Sequence, residues 1–249
     1  LFLLSSPVVQ AENLAFAESG VDEVAKKNIG RLNNVLAFYT LYASGISRSN
    51  ESQNILDRWI LARLNELITE TTNGYEKYQL DKAVRPLALF VDDLSVWYLR
   101  RSRERIKEGG EGAKAALSTL RYVLHMLARI IAPSMPFLAE HIFQAVREEG
   151  DEESVHLAEW PAVSRQGFFS SLFKKKDDEV FKAMTDARAT VTQALEARDK
   201  AGIKVRQPLA SLSIPSSSKL TDEYLSLIAD EVNVKSVRKA GNGVVLDTI

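Results

Sequence analysis

Between Val21 and Glu149 apolar side chains return with the period of an α-helix, and little alternates with period two. A chain patterned this way carries an apolar stripe on each helix and can bury those stripes only against one another. The first predicted helix covers residues 22–44, with Val24, Leu32, Val35, Leu36 and Tyr39 among its apolar positions and Gly45 near its end. A second covers 54–72, with Ile60, Leu64, Leu67 and Ile68 on one face and Asn73-Gly74 as its stop. The third spans 80–108, and Pro86 either kinks it or marks its true first turn. Gly109-Gly110-Glu111-Gly112 reads as a turn. No strand precedes it, so it is not a phosphate-binding loop. The fourth helix covers 113–131, and Ala132-Pro133-Ser134-Met135-Pro136 separates it from a fifth that runs to Glu149.

Short links between long helices predict an antiparallel helical bundle over 21–150. Residues 1–20, broken by Ser5-Ser6-Pro7 and Gly20, read as a connector. After Gly150 the character changes. Residues 151–177 read as a linker, in which Trp160-Pro161 packs back on the bundle. Lys174-Lys175-Lys176 followed by Asp177-Asp178-Glu179 reads as a solvated helix start. Residues 178–249 make a small α+β subdomain: a helix at 178–200, strand chemistry in IKVRQPLASLSI, a short helix near 221–230, and strand chemistry again in VKSVRKAGNGVVLDTI. Gly241-Asn242-Gly243 between two β-branched runs predicts a hairpin there. The fold class is therefore mainly α, a bundle followed by a small α+β piece.

With 45% hydrophobic and 26% charged residues the composition is that of a globular protein, and no apolar run is long enough to span a bilayer. The formal net charge is −1, so a nucleic-acid surface would have to be a local patch. The chain has no cysteine, which excludes disulfides, thiolate metal sites and cysteine nucleophiles. LFLLSSPVVQA has no initiator methionine and no basic residue ahead of it, so it does not read as a signal peptide. Beginning in mid-pattern, the chain is expected to be a piece of a longer protein.

The densest chemistry lies in DDLSVWYLRRSRERI, residues 92–106. On a regular helix with Trp97 at zero, Asp93, Arg101 and Arg105 fall within about 80° of it, while Arg100, Arg103 and Lys107 cluster at about 240–300°. Tyr98, Leu99, Ser102 and Ile106 are left for the core. Over residues 97–129, Arg100, Arg101, Arg103, Arg105, Lys107, Lys114, Arg121 and Arg129 face only Glu104, Glu108 and Glu111. Pairs such as Glu104 with Lys107 account for part of this basic excess, and the remainder points to a polyanion. Trp59 and Trp97 are candidates for base stacking or for core. Lys204 and Arg206 would share a face of a strand, where they either touch RNA or solubilise an edge.

Nothing in the chain reads as a catalytic centre. His125, His141 and His156 lack metal-ligand spacing, so they read as core or surface residues. Asp92 and Asp93 are adjacent and cannot face each other as an acid–base pair. They would instead orient arginines or meet a neighbouring helix. No G-x-S-x-G turn surrounds any serine. Neither a metal site nor a cofactor site is expected.

FVDDLSVWYLRRSRERI closely resembles the anticodon-binding helical domain of the class I isoleucyl-tRNA synthetases. LFLLSSPVVQAENLAF is similar to the segment after that family's K-M-S-K-S loop, LDRWILARLNELI to its second bundle helix, and IIAPSMPFLAEHIFQ to its turn and fifth helix. AGIKVRQPLASLSI resembles the start of the region beyond the bundle. The first helix departs from the pattern: the family usually has leucine, tryptophan, asparagine where this chain has Leu32, Asn33 and Asn34. The H-I-G-H-like and K-M-S-K-S-like signatures, the editing domain and any cysteine-based zinc site do not occur here, and VVLDTI is expected to be followed by more chain.

The resemblance implies a tRNA-binding part of an ATP-dependent isoleucine–tRNA ligase. It would hold the anticodon arm of tRNA(Ile), with catalytic residues, ATP and Mg²⁺ belonging to a catalytic domain of the full-length chain. The candidate tRNA contacts are Arg100, Arg101, Arg103, Arg105, Lys107, Lys204 and Arg206. A cytoplasmic monomer with no membrane partner is expected. The alternatives are a helical module that docks an acidic protein, or the same bundle from a valyl or leucyl enzyme.

Overall fold

The computed structural model describes residues 1–163 and 170–247, with the side chains of 170–176 left aside. The chain divides into two compact units, Leu1–Gln166 and Gly167–Ile249.

The first unit opens with α1 (Phe2–Ser5) and a 3-10 turn (Pro7–Gln10). This segment, expected as a connector, is pinned to α5, described below. Arg85 Nε donates to Ser5 O at 3.1 Å, and Gln10 Nε2 donates to Asp81 Oδ2 at 3.1 Å. Helix α2 (Glu18–Val24) passes through a π-helical stretch (Ala25–Gly30) into α3 (Arg31–Tyr42). Helix α4 (Ile55–Glu76) starts at a side-chain cap, with Asn54 Oδ1 accepting the Leu56 N–H at 3.0 Å. The predicted third helix is continuous. It comprises α5 (Leu80–Asp92), a π-helical stretch (Asp93–Leu99) and α6 (Arg100–Glu108), with Pro86 inside α5. Gly109 and Gly110, at φ 78° and 74°, make the turn into α7 (Gly110–Ile131). Pro136 then occupies the first turn of α8 (Pro136–Val146), where its missing N–H costs nothing.

The apolar periodicity delivers the core: Leu32, Ile60, Leu64, Leu87, Phe90, Leu94, Leu120, Leu124 and Phe143 are fully buried. Each such side chain contributes roughly 1.5–3 kcal/mol by leaving water. Trp160 closes the following loop as expected. Its Nε1 donates to Thr72 Oγ1 at 2.8 Å, and its ring meets Tyr75 edge-on at 5.6 Å.

Gly74 is not the stop it was expected to be. Helix α4 runs past it to Glu76, and Gly74 is buried. A Cβ there would lie 2.5 Å from the Ala83 backbone nitrogen, so the glycine lets α4 and α5 approach closely. The chain reverses afterwards at Tyr78, which takes a left-handed φ of 55°.

In the second unit α9 (Ser170–Lys200) begins inside the stretch read as linker. Lys174-Lys175-Lys176 is therefore not a helix start, and those side chains lie outside the described residues. Strand β1 (Leu209–Ile214), α10 (Asp222–Val232), β2 (Val234–Lys239) and β3 (Val245–Leu246) follow. The sheet order is β2-β1-β3, with β1 parallel to β2 and antiparallel to β3. The expected hairpin at Gly241-Asn242-Gly243 is thus a crossover. Its two strands flank β1, whose Leu209, Leu212 and Ile214 are the buried apolar side chains. A strand this apolar belongs in the centre of a sheet rather than at its edge.

Candidate nucleic-acid interface

The arginine string meets two different environments. Asp57, in the first turn of α4, is 0% exposed and holds four hydrogen bonds. Ser52 Oγ donates at 2.7 Å, the Tyr98 hydroxyl at 2.9 Å, and Arg105 through Nη1 at 3.1 Å and Nη2 at 2.6 Å. Burial, then the Asp57 charge, pushes the Tyr98 hydroxyl well above its ordinary pKa. Arg105 is therefore a structural clamp between α4 and α6. This corrects its place among the RNA-facing residues: a forked guanidinium on a buried carboxylate is not available to a phosphate. The tandem aspartates do meet neighbouring helices. Asp92 accepts from Arg31 of α3 at 2.7 Å, and Asp93 from Arg63 of α4 at 2.8 Å.

Arg121 leaves the charge count for a different reason. It donates to the carbonyls of Ile46, Val146 at 2.9 Å and Arg147 at 2.7 Å, and lies 3.3 Å from Glu148. Arg48 grips Asp151 through both terminal nitrogens, with Nη2 at 2.6 Å, and its Nη1 donates to His125 Nε2 at 3.1 Å. His125 is 1% exposed and stacked on Phe143 at 5.1 Å. Burial, then the nearby Arg129 and Arg48 charges, lowers its pKa to about 4. Near neutrality the ring is uncharged, and because Nε2 accepts from Arg48 its proton is assigned to Nδ1.

Arg100, Arg103 and Lys107 remain exposed on α6. Lys107 pairs with Glu104 at 3.0 Å, as the spacing predicts, but both are solvated and the pair is weak enough to yield to a phosphate. The Arg103 guanidinium lies 5.6 Å above the Phe38 ring of α3. Arg101 and Trp97 are half-buried. Trp59 is 2% exposed and belongs to the core, so it offers no stacking face.

Sequence reasoning missed the surface beside these arginines. Helix α3 exposes Asn33, Asn34, Ala37, Thr40 and Leu41. Between it and α8 runs a groove of about 650 Å³, lined mainly by apolar side chains such as Ile29, Leu36, Phe137 and Leu138, with Asn33, Thr40 and His141 as its polar members. Phe137 is 91% exposed. Nothing in the sequence marks this ring as exposed; it stands one residue after the helix-starting Pro136. Asn33 stands in this groove where the synthetases resembled above carry tryptophan. An amide, an imidazole and a bare aromatic ring can meet unstacked bases, and the exposed guanidiniums of α6 can meet phosphates. Lys204 and Arg206 are exposed, but they lie in turns ahead of β1 and not on one face of a strand.

Residues 57–214 match the family described as the anticodon-binding domain of tRNA ligase. The chain belongs to that family. Its similar relatives include the isoleucine–tRNA ligase of Chlamydia trachomatis serovar D, 39% identical over 247 residues, which cover 95% of this chain and 23% of that protein. The isoleucine–tRNA ligases of Chlamydia pneumoniae and Chlamydia caviae are 38% and 36% identical over 248 and 249 residues, with the same coverage. This anticodon-binding domain thus spans less than a quarter of the length of the relatives it matches. No helix among its described residues is long and apolar enough to cross a membrane.

Proposed function

We propose that this chain is the part of an isoleucine–tRNA ligase that holds the anticodon arm of tRNA(Ile). The exposed face of α3 receives the anticodon loop, with Arg100, Arg103 and Lys107 on the phosphates and Asn33, Phe137 and His141 towards the bases. ATP- and Mg²⁺-dependent attachment of isoleucine belongs, in this reading, to a separate catalytic domain of a longer cytoplasmic chain. The observation that carries the reading is a 91%-exposed phenylalanine in a groove that Asn33 and His141 also line, in a member of the anticodon-binding family whose α6 bears exposed arginines.

The test is binding of tRNA(Ile) transcript to the chain, followed against salt concentration and against purified tRNA(Val) and tRNA(Leu) as competitors. About four to six phosphate contacts give a log–log slope of roughly 3 to 5. Salt-independent binding, or none, would sink the proposal. Equal competition by tRNA(Val) or tRNA(Leu) would leave an anticodon-arm holder but remove its isoleucine assignment.

A further inference from the structure

In the bundle Arg31, Arg48, Arg63 and Arg105 each meet a carboxylate. In the second unit Lys204, Arg206, Lys235, Arg238 and Lys239 are all exposed, and among the described residues none has an ion-pair or hydrogen-bond partner for its side chain.

The fold gathers these five along one border. Among the described residues, strand β2 (VKSVRK) is hydrogen-bonded to β1 on one side only, which leaves its other edge open. Lys235 and Lys239 lie on one face of that strand and Arg238 on the other, with about 13 Å of strand between the two lysines. The loop with Lys204 and Arg206 is fastened to the start of the strand. Asn233 Nδ2 donates to Val205 O at 2.8 Å. The buried Arg198 donates to the carbonyls of Lys204 at 3.0 Å, Gln207 at 2.9 Å and Asn233 at 2.9 Å.

Exposed carboxylates border this region at Asp199 and Asp230, whereas Asp222 and Glu223 sit in the first turn of α10 and Asp247 beyond β3, across the sheet. Blunting a sheet edge against aggregation, for which lysine is especially common, needs charge on the strand alone. Here the charges on the strand are of one sign, and they continue into a loop that is no edge.

We propose that the 204–206 loop and the open edge of β2 form a second phosphate-binding surface, whose occupant is the sugar–phosphate backbone of RNA. It rests on the tRNA-binding reading above and extends it to residues 235–239. Uniform positive charge without partners at fixed spacing is what backbone contact needs, and it carries no demand for sequence.

The experiment compares the whole chain with K235Q/R238Q/K239Q, using tRNA(Ile) transcript and, separately, a polyglutamate peptide as probes. Loss of three contacts should lower the log–log salt slope by about 2 and weaken binding at low salt by tenfold or more. Melting temperature should stay unchanged because all three side chains are solvated. K204Q/R206Q, which leaves the strand intact, should lower the slope by about 1 to 2. Wild-type binding with unaltered slope and affinity in both variants would overturn the proposal while leaving the bundle reading in place. Variants that lose polyglutamate but keep tRNA would overturn it in favour of an acidic protein partner. Absence of tRNA binding by the wild type would overturn both readings.

Discussion

At the scale of single residues, the arginines show how little a charge count says about availability. Arg105 and Arg103 lie two positions apart, yet one is spent on Asp57 and the other faces solvent above Phe38. The difference was invisible in the sequence because Asp57 lies 48 residues away. Arg121 was invisible for another reason, since its main acceptors are carbonyls, which every residue carries. Removing one partner of a buried ion pair leaves the other uncompensated. Asp57→Ala should therefore cost about 3–5 kcal/mol in urea unfolding. Adding Arg105→Met should recover part of that loss, and additive losses would mean the two groups are not coupled. Gly74→Ala replaces a hydrogen with a methyl at 2.5 Å from backbone that cannot step aside. It should lower stability by about 3 kcal/mol, or enough to prevent folding, against the gain of about 1 kcal/mol expected at an ordinary helical glycine. A neutral or stabilising result would contradict the close packing of α4 on α5.

The helices themselves were legible in the sequence and their ends less so. Periodicity located α3, α4, α7 and α8, because each has one stripe to bury. It did not show the π-helical stretches at 25–30 and 93–99, which shift the register of any wheel drawn through them. The strands were recognisable by composition, but pairing between distant strands is set by which of them is apolar enough for the centre of the sheet. The bundle's links add a property that no helix has alone. Arg48, Asp151 and His125 tie the loops before α4 and after α8 to α7. For Asp151, burial raises the carboxyl pKa, but hydrogen bonds from Arg48 and the Glu148 N–H outweigh it and bring it to about 2. His125 sits at about 4 when folded against an ordinary value of 6.5. Both pKa values are depressed on folding, so their stabilisation is present at neutral pH and is lost as pH falls. The histidine part disappears from about pH 6.5 down to about 4, and amounts to on the order of 3 kcal/mol. The melting temperature of the wild type should fall across that window more steeply than that of His125→Gln. Parallel curves would remove the histidine from the account.

For the whole molecule, a net charge of −1 is compatible with binding a polyanion because exposed cations such as Arg100, Arg103 and Lys107 share one helix. Charge reversal of Arg100, Arg103 and Lys107 should weaken tRNA binding about tenfold or more at low salt, alike for every tRNA, without moving the melting temperature. An unchanged affinity would shift the contact off α6. Phe137→Ala makes the complementary case: a stacked base is worth about 1–3 kcal/mol, and its loss should leave the salt slope intact. Of this surface the sequence disclosed the cations but not the groove, since a groove exists only where two helices distant along the chain face each other.

Arg198 gives the second unit a stiffness that its loops would otherwise lack. With three carbonyls from two separate stretches drawn onto one buried guanidinium, the turn at 204–207 and the root of β2 behave as a single splint. Lysines on such a splint sit at intervals decided when the chain folded. A passing backbone therefore meets a ready-made ruler rather than a row of side chains on wandering loops, and less ordering is left for the moment of encounter.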